Sequence, residues 1–366
     1  MISRRTMLAA TGAAMFAPSA FAQDAAAVSD AAHALYGAGI IIDGNIYPPV
    51  SDTMTKAEVT ALKASGLTAA KASIGGFANN YQQTILEVRV LQRVIARYPT
   101  DLMQIRSVAD IRNAKRTGRL GIIFSFEGVA CLEGQIERIA EFAAHGVKVM
   151  QLSYNLPSEF GGGVMSDAAL GLSALGHDAV ASMNANGVAI DLSHSNPLTT
   201  AQAMEASNRP VLITHGGCAA VYEHPRNKTD EQLRALAEKG GVFGIYDLPY
   251  LVAPPREATL DDYMAHMAHA LNVAGEDHVG VGSDTAFDHI PDTPEARAAF
   301  AQQNEERRRA GVAAPGEDAR PPFVQGLNHP RRCETIADAL LARGYPARVA
   351  EKVLGENFLR AFGDIW

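Results

Sequence analysis

Two short apolar runs that each end in a histidine constrain the fold more than any other part of this chain. The first runs from Gly187 to His194, and the second runs from Pro210 to His215. The segment between them is long enough for one helix, as expected for parallel strands joined by a helical crossover. Because the carboxyl ends of parallel strands meet at one edge, both imidazoles are expected at the same end of a parallel α/β sheet.

The rest of the chain repeats this alternation of apolar runs and helical segments. Strands are predicted at about 40–45, 67–74, 120–128, 147–154, 187–194, 210–215, 241–248 and 278–284. Helices are predicted in most of the gaps and near the carboxyl terminus, and capping boxes begin two of them at Thr55 and Thr229. Eight such strands without a composition break predict a single-domain (β/α)8 barrel of the TIM type. A doubly wound sheet is the alternative, although no GxGxxG sequence follows the first strand.

The amino terminus has the features of an export signal. Arg4 and Arg5 form a twin-arginine pattern, and the Ala-rich run after them ends in the cleavage-type triplet at residues 20–22. We therefore expect a twin-arginine signal peptide over 1–22, a linker over 23–38 and the barrel over 39–366, with a periplasmic or secreted location. An uncleaved membrane anchor is the alternative, but the run is short for a span, and no later stretch of the mature chain is apolar enough to cross a membrane.

Charge and cysteine content narrow the class of protein further. The 366 residues carry a formal net charge of −8 without a basic block, which argues against a nucleic-acid partner. The three cysteines, Cys131, Cys218 and Cys333, contain no CxxC pair, so one disulfide is possible but its pairing is not specified.

Two further segments leave their roles open. Residues 286–330, rich in Pro, Arg and Ala, could form a lid, an oligomer contact in a homodimer, or a solvated surface loop. His266 and His269 lie three residues apart on a predicted helix and are expected on its solvated face.

Polar residues stand where the predicted strands end. They are Asn45, Glu127, Tyr154, His194, His215 and Asp284. In a barrel all of them project at the carboxyl-terminal mouth, where barrel active sites lie. One carboxylate and two neutral imidazoles suit Zn²⁺ and leave a position for water, so Glu127, His194 and His215 are the candidate ligands. Asp284 is placed to shuttle the proton of a metal-activated water.

These segments resemble the membrane (renal) dipeptidase family of the amidohydrolase superfamily. The similar segments are Asp191-Leu192-Ser193-His194, Thr214-His215 with His224-Pro225-Arg226-Asn227, His278 to Asp284, and Leu354 to Arg360. The resemblance extends from Asp43 to the end of the chain, which is roughly the whole mature chain. The resemblance implies a (β/α)8 zinc hydrolase that cleaves dipeptides, including some with a D-residue or dehydro-residue at the carboxyl side.

The resemblance also implies roles for individual residues. Glu127 corresponds to the carboxylate that bridges two zinc ions, and His194 and His215 correspond to the imidazoles of one of them. Asp284 corresponds to the acid/base group, and Arg226 to the arginine that pairs with the substrate's terminal carboxylate. A planar guanidinium suits that pairing.

Three positions depart from the family pattern. The family's first strand ends in Asp-Gly-His-x-Asp, whose His and second Asp bind the other zinc, whereas this chain has Asn45 and Tyr47 there. Tyr154 stands where the family has a histidine that contacts the reacting oxygen. We therefore predict one zinc per chain, with the second site lost, and expect Tyr154 or Asn45 to bind the substrate oxyanion.

Together these features predict an exported metal-dependent hydrolase that cleaves the amide bond of a dipeptide or a similar small carboxylate-bearing substrate. One alternative is a related hydrolase acting on another bond, such as a lactone or a modified amino-acid amide. Another is a non-hydrolytic binding protein, a lyase or an isomerase built on the same barrel.

Overall fold

The computed structural model describes residues 28–47, 51–75 and 79–366, and within them eight parallel strands close into a barrel. The strands of the sheet are β1 Ile42–Tyr47, β2 Ala69–Ser73, β3 Leu102–Gln104, β4 Leu120–Phe126, β5 Val147–Gln151, β6 Ala189–Asp191, β7 Leu212–Gly216, β8 Val242–Ile245, β9 Val279–Val281 and β10 Thr285–Ala286. The barrel order is β1-β2-β4-β5-β6-β7-β8-β9, and Asp43 of β1 pairs with Val281 of β9 to close it. This closure confirms the predicted (β/α)8 barrel and excludes the open doubly wound sheet.

Helices occupy most of the crossovers between the strands. They are α1 Asp30–Ala38, α2 Lys56–Ala64, α3 Tyr81–Arg97, α4 Val108–Thr117, α5 Glu137–Ala144, α6 Ala174–Ala185, α7 Pro197–Ala206, α8 Asp230–Glu238, α9 Leu260–Ala274, α10 Pro294–Arg309, α11 Arg332–Ala342, α12 Ala347–Glu351 and α13 Asn357–Ile365. The predicted capping boxes begin α2 at Thr55 and α8 at Thr229, where each Thr side chain accepts from the third helical N–H.

The core has two layers. One lies between the strands and the surrounding helices, and the other fills the barrel and is closed from below by α13, whose Phe358 and Phe362 are fully buried. The upper barrel is narrow as well, because a Cβ at Gly244 or Gly282 would lie within 2.0 Å of the Thr214 carbonyl oxygen. This plugged interior leaves the carboxyl-terminal mouth as the place for a site.

Three segments differ from the sequence-based expectation. Residues 1–27, which include the predicted signal peptide, lie outside the described residues, but the expected linker over 23–38 contains helix α1, which buries Tyr36 and Leu35. Strand β3 and helix α4 were not predicted; β3 pairs with the first half of β4. Residues 286–330, for which a lid, an oligomer contact or a solvated loop was expected, contain the 16-residue helix α10.

The structure also shows the surroundings of the cysteines and of His266, whose roles the sequence did not specify. All three cysteines are free and buried, so the possible disulfide is absent. The prediction of a solvated face was wrong for His266, which is fully buried: its Nδ1 accepts from the Cys218 amide and its Nε2 lies 2.9 Å from the Leu251 carbonyl oxygen. Among the described residues, no helix combines the length and apolarity needed to cross a membrane.

Candidate metal centre

Glu127, His194 and His215 come together at the carboxyl-terminal mouth of the barrel. Glu127 follows β4 directly, His194 lies three residues beyond β6, and His215 lies within β7. One ligand atom from each residue lies within 4.8 Å of the others, and all three side chains are buried. The donors could therefore converge on one divalent ion and leave a coordination position for water, as in catalytic zinc sites.

A hydrogen-bond chain fixes the tautomer of His215. The Thr214 hydroxyl donates to Asp191 Oδ2 at 2.6 Å, and it lies 3.0 Å from His215 Nδ1. Because its hydrogen is committed to Asp191, the hydroxyl accepts from Nδ1–H. The lone pair of His215 then lies on Nε2, which is buried without a hydrogen-bond partner, as expected of an atom that ligates a metal.

His194 is held in the same way by a side-chain amide. Asn155 Nδ2 donates to the Val312 carbonyl, and Asn155 Oδ1 lies 2.9 Å from His194 Nδ1. Nδ1 is therefore the donor, and Nε2 presents its lone pair to the cluster. The Tyr154 ring stacks on the His194 ring with a centroid separation of 4.2 Å, which fixes the plane of the imidazole.

Electrostatics favour the neutral, ligating form of both imidazoles. Burial lowers the pKa of His194 and of His215 well below its usual value, and the Arg226 guanidinium lowers both further. A neutral imidazole is the form that binds a metal ion.

Asn45 links the two carboxylates of the site. Its Nδ2 donates to Glu127 Oε1 at 2.7 Å and to Asp284 Oδ1 at 2.8 Å. Its Oδ1 accepts from Lys71 Nζ at 2.7 Å and from the Ser73 hydroxyl at 3.1 Å. Both hydrogens of the amide are thus engaged by carboxylates, which differs from the substrate oxyanion that we expected Asn45 to bind.

Asp284 lies between β9 and β10 in a left-handed backbone conformation, with φ of 55°. This sparsely populated conformation is typical of residues held in place at functional sites. The carboxylate Oδ2 lies 3.9 Å from His215 Nε2. Burial raises the pKa of Asp284, and the charge of Glu127 raises it further. A carboxyl group with a raised pKa suits proton transfer near neutral pH.

Arg226 brings a positive charge into the same enclosure. The residue is 3% exposed, and its Nε and Nη2 have no hydrogen-bond partner. Burial acts to lower its pKa, but Asp284 and the surrounding tyrosines outweigh that effect and raise it. Unpaired guanidinium donors in a buried site are costly unless a ligand satisfies them, so Arg226 is suited to bind an anion.

Tyr154 stands three residues beyond β5 and contacts helix α10. Burial raises the pKa of its hydroxyl to about 12, so the group stays neutral and able to donate. Arg307 of α10 hydrogen-bonds the Tyr154 side chain, and Glu317 holds that guanidinium through bonds of 2.6 and 2.9 Å. The segment 286–330 therefore contacts the site, unlike a solvated loop.

The model of the membrane dipeptidase family, peptidase family M19, matches residues 41–299. The matched region contains the three candidate ligands, Arg226 and Asp284. The chain belongs to the membrane dipeptidase family. Within it, this chain is a dipeptidase-like metallohydrolase, and dipeptidases recur among its relatives.

Relatives of known sequence extend over most of this dipeptidase-family chain. An uncharacterized protein from the pqqA 5′ region of Klebsiella pneumoniae is 30% identical over 290 residues, which span 76% of this chain and 95% of that protein. Dipeptidase tcpJ of Claviceps purpurea is 26% identical over 287 residues, which span 78% of this chain and only 60% of that protein.

Solved structures show the same barrel. An amidohydrolase from Pseudomonas aeruginosa is 30% identical, with a TM-score of 0.78 over 92% of this chain and 99% of that one. A metallopeptidase from Rhodobacter sphaeroides is 19% identical, with a TM-score of 0.72 over 90% of this chain and 100% of that one. At that identity the second likeness shows the fold alone.

Several polar residues of this dipeptidase-family site were not singled out from the sequence. They are Lys71, Asn155, Asp191, Thr214 and Arg307. Lys71 left the clearest signal, because a lysine in an otherwise small and apolar strand, Ala69–Ser73, needs a buried partner. Asp191 and Thr214 stood in the quoted segments without a role, and Arg307 could be placed only by the fold of the segment 286–330.

Proposed function

We propose that this chain is an exported hydrolase with one zinc ion, which cleaves the amide bond of a dipeptide or a similar small carboxylate-bearing substrate. One observation carries the proposal: His215 Nε2 and the Arg226 donors are buried without hydrogen-bond partners, and Arg226 is near enough for its charge to lower the pKa of His215. The first calls for a metal ion and the second for an anion.

The residues fit a single divalent ion held by Glu127, His194 and His215. When bound, such an ion would polarise a carbonyl oxygen and lower the pKa of a water molecule. A second ion has poor donors in this chain, because Asn45 directs its NH₂ group, and not its oxygen, toward Glu127 and Asp284.

Each remaining side chain has one task in the proposed reaction. Asp284 accepts the proton of the attacking water and transfers it to the leaving amine. Arg226 binds the substrate carboxylate with its planar donors. The neutral Tyr154 hydroxyl donates to the oxygen that becomes negatively charged in the transition state.

The substrate class follows from the family and from Arg226. The Rhodobacter sphaeroides metallopeptidase was solved with a phosphinate mimic of the dipeptide L-Ala-D-Ala. We therefore take L-Ala-D-Ala as the first substrate to test, followed by L-L dipeptides, dehydro-dipeptides and a lactone.

Metal analysis and a substrate panel on the same preparation test the proposal. We expect about one zinc per chain, turnover of at least one dipeptide, and no turnover of the lactone. The Asp284→Asn variant should keep its metal but lose turnover by about 100-fold or more. A metal-free wild-type chain, silence on every dipeptide, or full activity of Asp284→Asn would each contradict the proposal.

Export is the remaining part of the proposal. The twin-arginine pattern at Arg4 and Arg5 supports transport to the periplasm or the medium, with cleavage after Ala22. Mass spectrometry of the chain recovered from the periplasm should show a mature protein that begins at Gln23. An intact amino terminus on a chain that stays in the cytoplasm would contradict export.

A further inference from the structure

Lys71 is a fully buried cation beneath the candidate metal centre. It lies in the middle of β2 with no exposed surface, and its ammonium group lies 3.4 Å from Asp191 Oδ2. A charged group without solvent contact needs close polar partners, and here they are Asp191 and the Asn45 side-chain oxygen at 2.7 Å.

From Lys71, two chains of contacts lead to the metal-ligating residues. One passes through Asn45 to Glu127, and the other passes through Asp191 and Thr214 to His215. Lys71 thus contacts none of the candidate ligands directly but touches the groups that orient two of them.

The ammonium group also decides which way the Asn45 amide faces. Asn45 Oδ1 receives hydrogen bonds from Lys71 and from Ser73, so the NH₂ end must face Glu127 and Asp284. In the reverse orientation, an oxygen would face the two carboxylates, and the three oxygens together would attract a second divalent cation.

We propose that Lys71 is a positioning residue that restricts this centre to one metal ion. It does so by fixing the Asn45 amide between Glu127 and Asp284 and by placing an ammonium group next to that amide, where a second cation would bind. The inference rests on the proposed metal site and adds the residue that sets its stoichiometry.

Metal content measured after equilibration with excess zinc and removal of free ions tests this role. The wild-type chain should hold about one zinc, and Lys71→Met should hold close to two. Lys228→Met is the control, because it also removes a buried lysine. Lys228 is also buried, but its ammonium group donates to the Leu192 and Ser195 carbonyls, away from Asn45, so this variant should stay near one.

A second substitution covers the case in which Lys71→Met does not fold. Lys71→Gln keeps a hydrogen-bond donor on a side chain one bond shorter and removes the charge, and its zinc content should also rise above one. A merely structural role for Lys71 would lower metal content or stability and would not add an ion. Two zinc ions in the wild-type chain, both Lys71 variants at one, or a similar rise in Lys228→Met would each overturn the inference.

The outcome separates this inference from the proposed function. If metal content follows the expected pattern but no dipeptide is cleaved, the inference stands and the proposed reaction falls. If dipeptides are cleaved but the Lys71 variants still hold one ion, the inference alone falls. A wild-type chain that binds no zinc overturns both.

Discussion

The Thr214 hydroxyl is a small group with a large expected effect, because it joins Asp191 to His215. It donates to the carboxylate and accepts from the imidazole, so it selects the tautomer in which Nε2 carries the lone pair. Such outer hydrogen bonds raise the basicity of a ligand and fix the plane of its ring.

Replacing this hydroxyl should weaken metal binding without changing the size of the side chain. Thr214→Val leaves His215 Nδ1–H without an acceptor, and we expect the affinity for zinc to fall by about 10- to 100-fold. Competition with a chelator measures the change. Thr214→Ser keeps the hydroxyl and should bind zinc nearly as the wild type does; an unchanged affinity of Thr214→Val would show that the tautomer is set elsewhere.

The unpaired donors of Arg226 predict recognition of a free carboxylate. Removing them in Arg226→Met should raise the KM for a dipeptide by about 30- to 100-fold, which corresponds to the loss of a charge-assisted contact of about 2–3 kcal/mol. A substrate amidated at its carboxyl end is the control, because it lacks the anion and should lose much less. Equal losses on both substrates would contradict the assigned role.

Glu127, His194, His215 and Asp284 could be predicted from the sequence because each lies at or just beyond the carboxyl end of a barrel strand. Strand ends converge whatever the details of packing, and the structure brings these side chains together. The contacts of Asn45 could not be predicted in this way. They depend on Lys71, whose reach across from β2 is set by the three-dimensional register of β1 and β2.

The Asp101 carboxylate, directly before β3, links that strand to helix α2. Asp101 hydrogen-bonds Lys56 and lies 3.1 Å from Lys63, both on α2. The hydrogen bond from Lys56 is the main reason that the pKa of Asp101 falls to about 2. A pKa lowered by folding stabilises the folded state at pH values above the unfolded value of about 4.

Asp101→Asn should therefore destabilise the protein by about 1 kcal/mol at pH 7, and the deficit should shrink as the pH falls from about 4 toward 2. Thermal unfolding of both chains across this range measures it. Asp261→Asn, which removes an exposed carboxylate paired with Arg343, is the control and should be nearly neutral. A deficit at Asp101 that does not depend on pH would contradict the ion-pair explanation.

The elements missed from the sequence share a physical reason. Strand β3 has only three residues, and α4 buries little more than Ile111 and Ala114, so neither leaves a strong apolar pattern. Helix α10 buries only Asn304 among its residues. Hydrophobic periodicity reports burial, so short or exposed elements escape it even where the fold needs them.

Helix α1 joins the first described segment of the chain to the carboxyl-terminal helix α11. It packs against α11, where Ser29 bonds Asp338 and His33 lies 2.7 Å from Glu334. Tyr36 is 2% exposed, and its hydroxyl donates to the Ser65 carbonyl at 2.6 Å. This segment is therefore part of the folded domain and not a tether to it.

Tyr36→Ala should test that integration. Removing a buried aromatic ring costs about 3–5 kcal/mol, and at this chain length we expect the melting temperature to fall by about 5 °C or more. Ala34→Ser, on the exposed side of the same helix, should change it little. A neutral Tyr36→Ala would mean that the barrel is stable without α1.

The closure of the barrel between β1 and β9 determines when the site can exist. Its polar groups come from positions as far apart as Asn45 and Asp284, and the Asp284 amide donates to the Asn45 carbonyl at 2.8 Å, next to the closing pair. A ribosome-bound chain that stops before β9 has the two histidines but neither Asp284 nor a closed enclosure. High-affinity metal binding should thus begin only when β9 pairs with β1, so the appearance of bound metal reports that the barrel has closed.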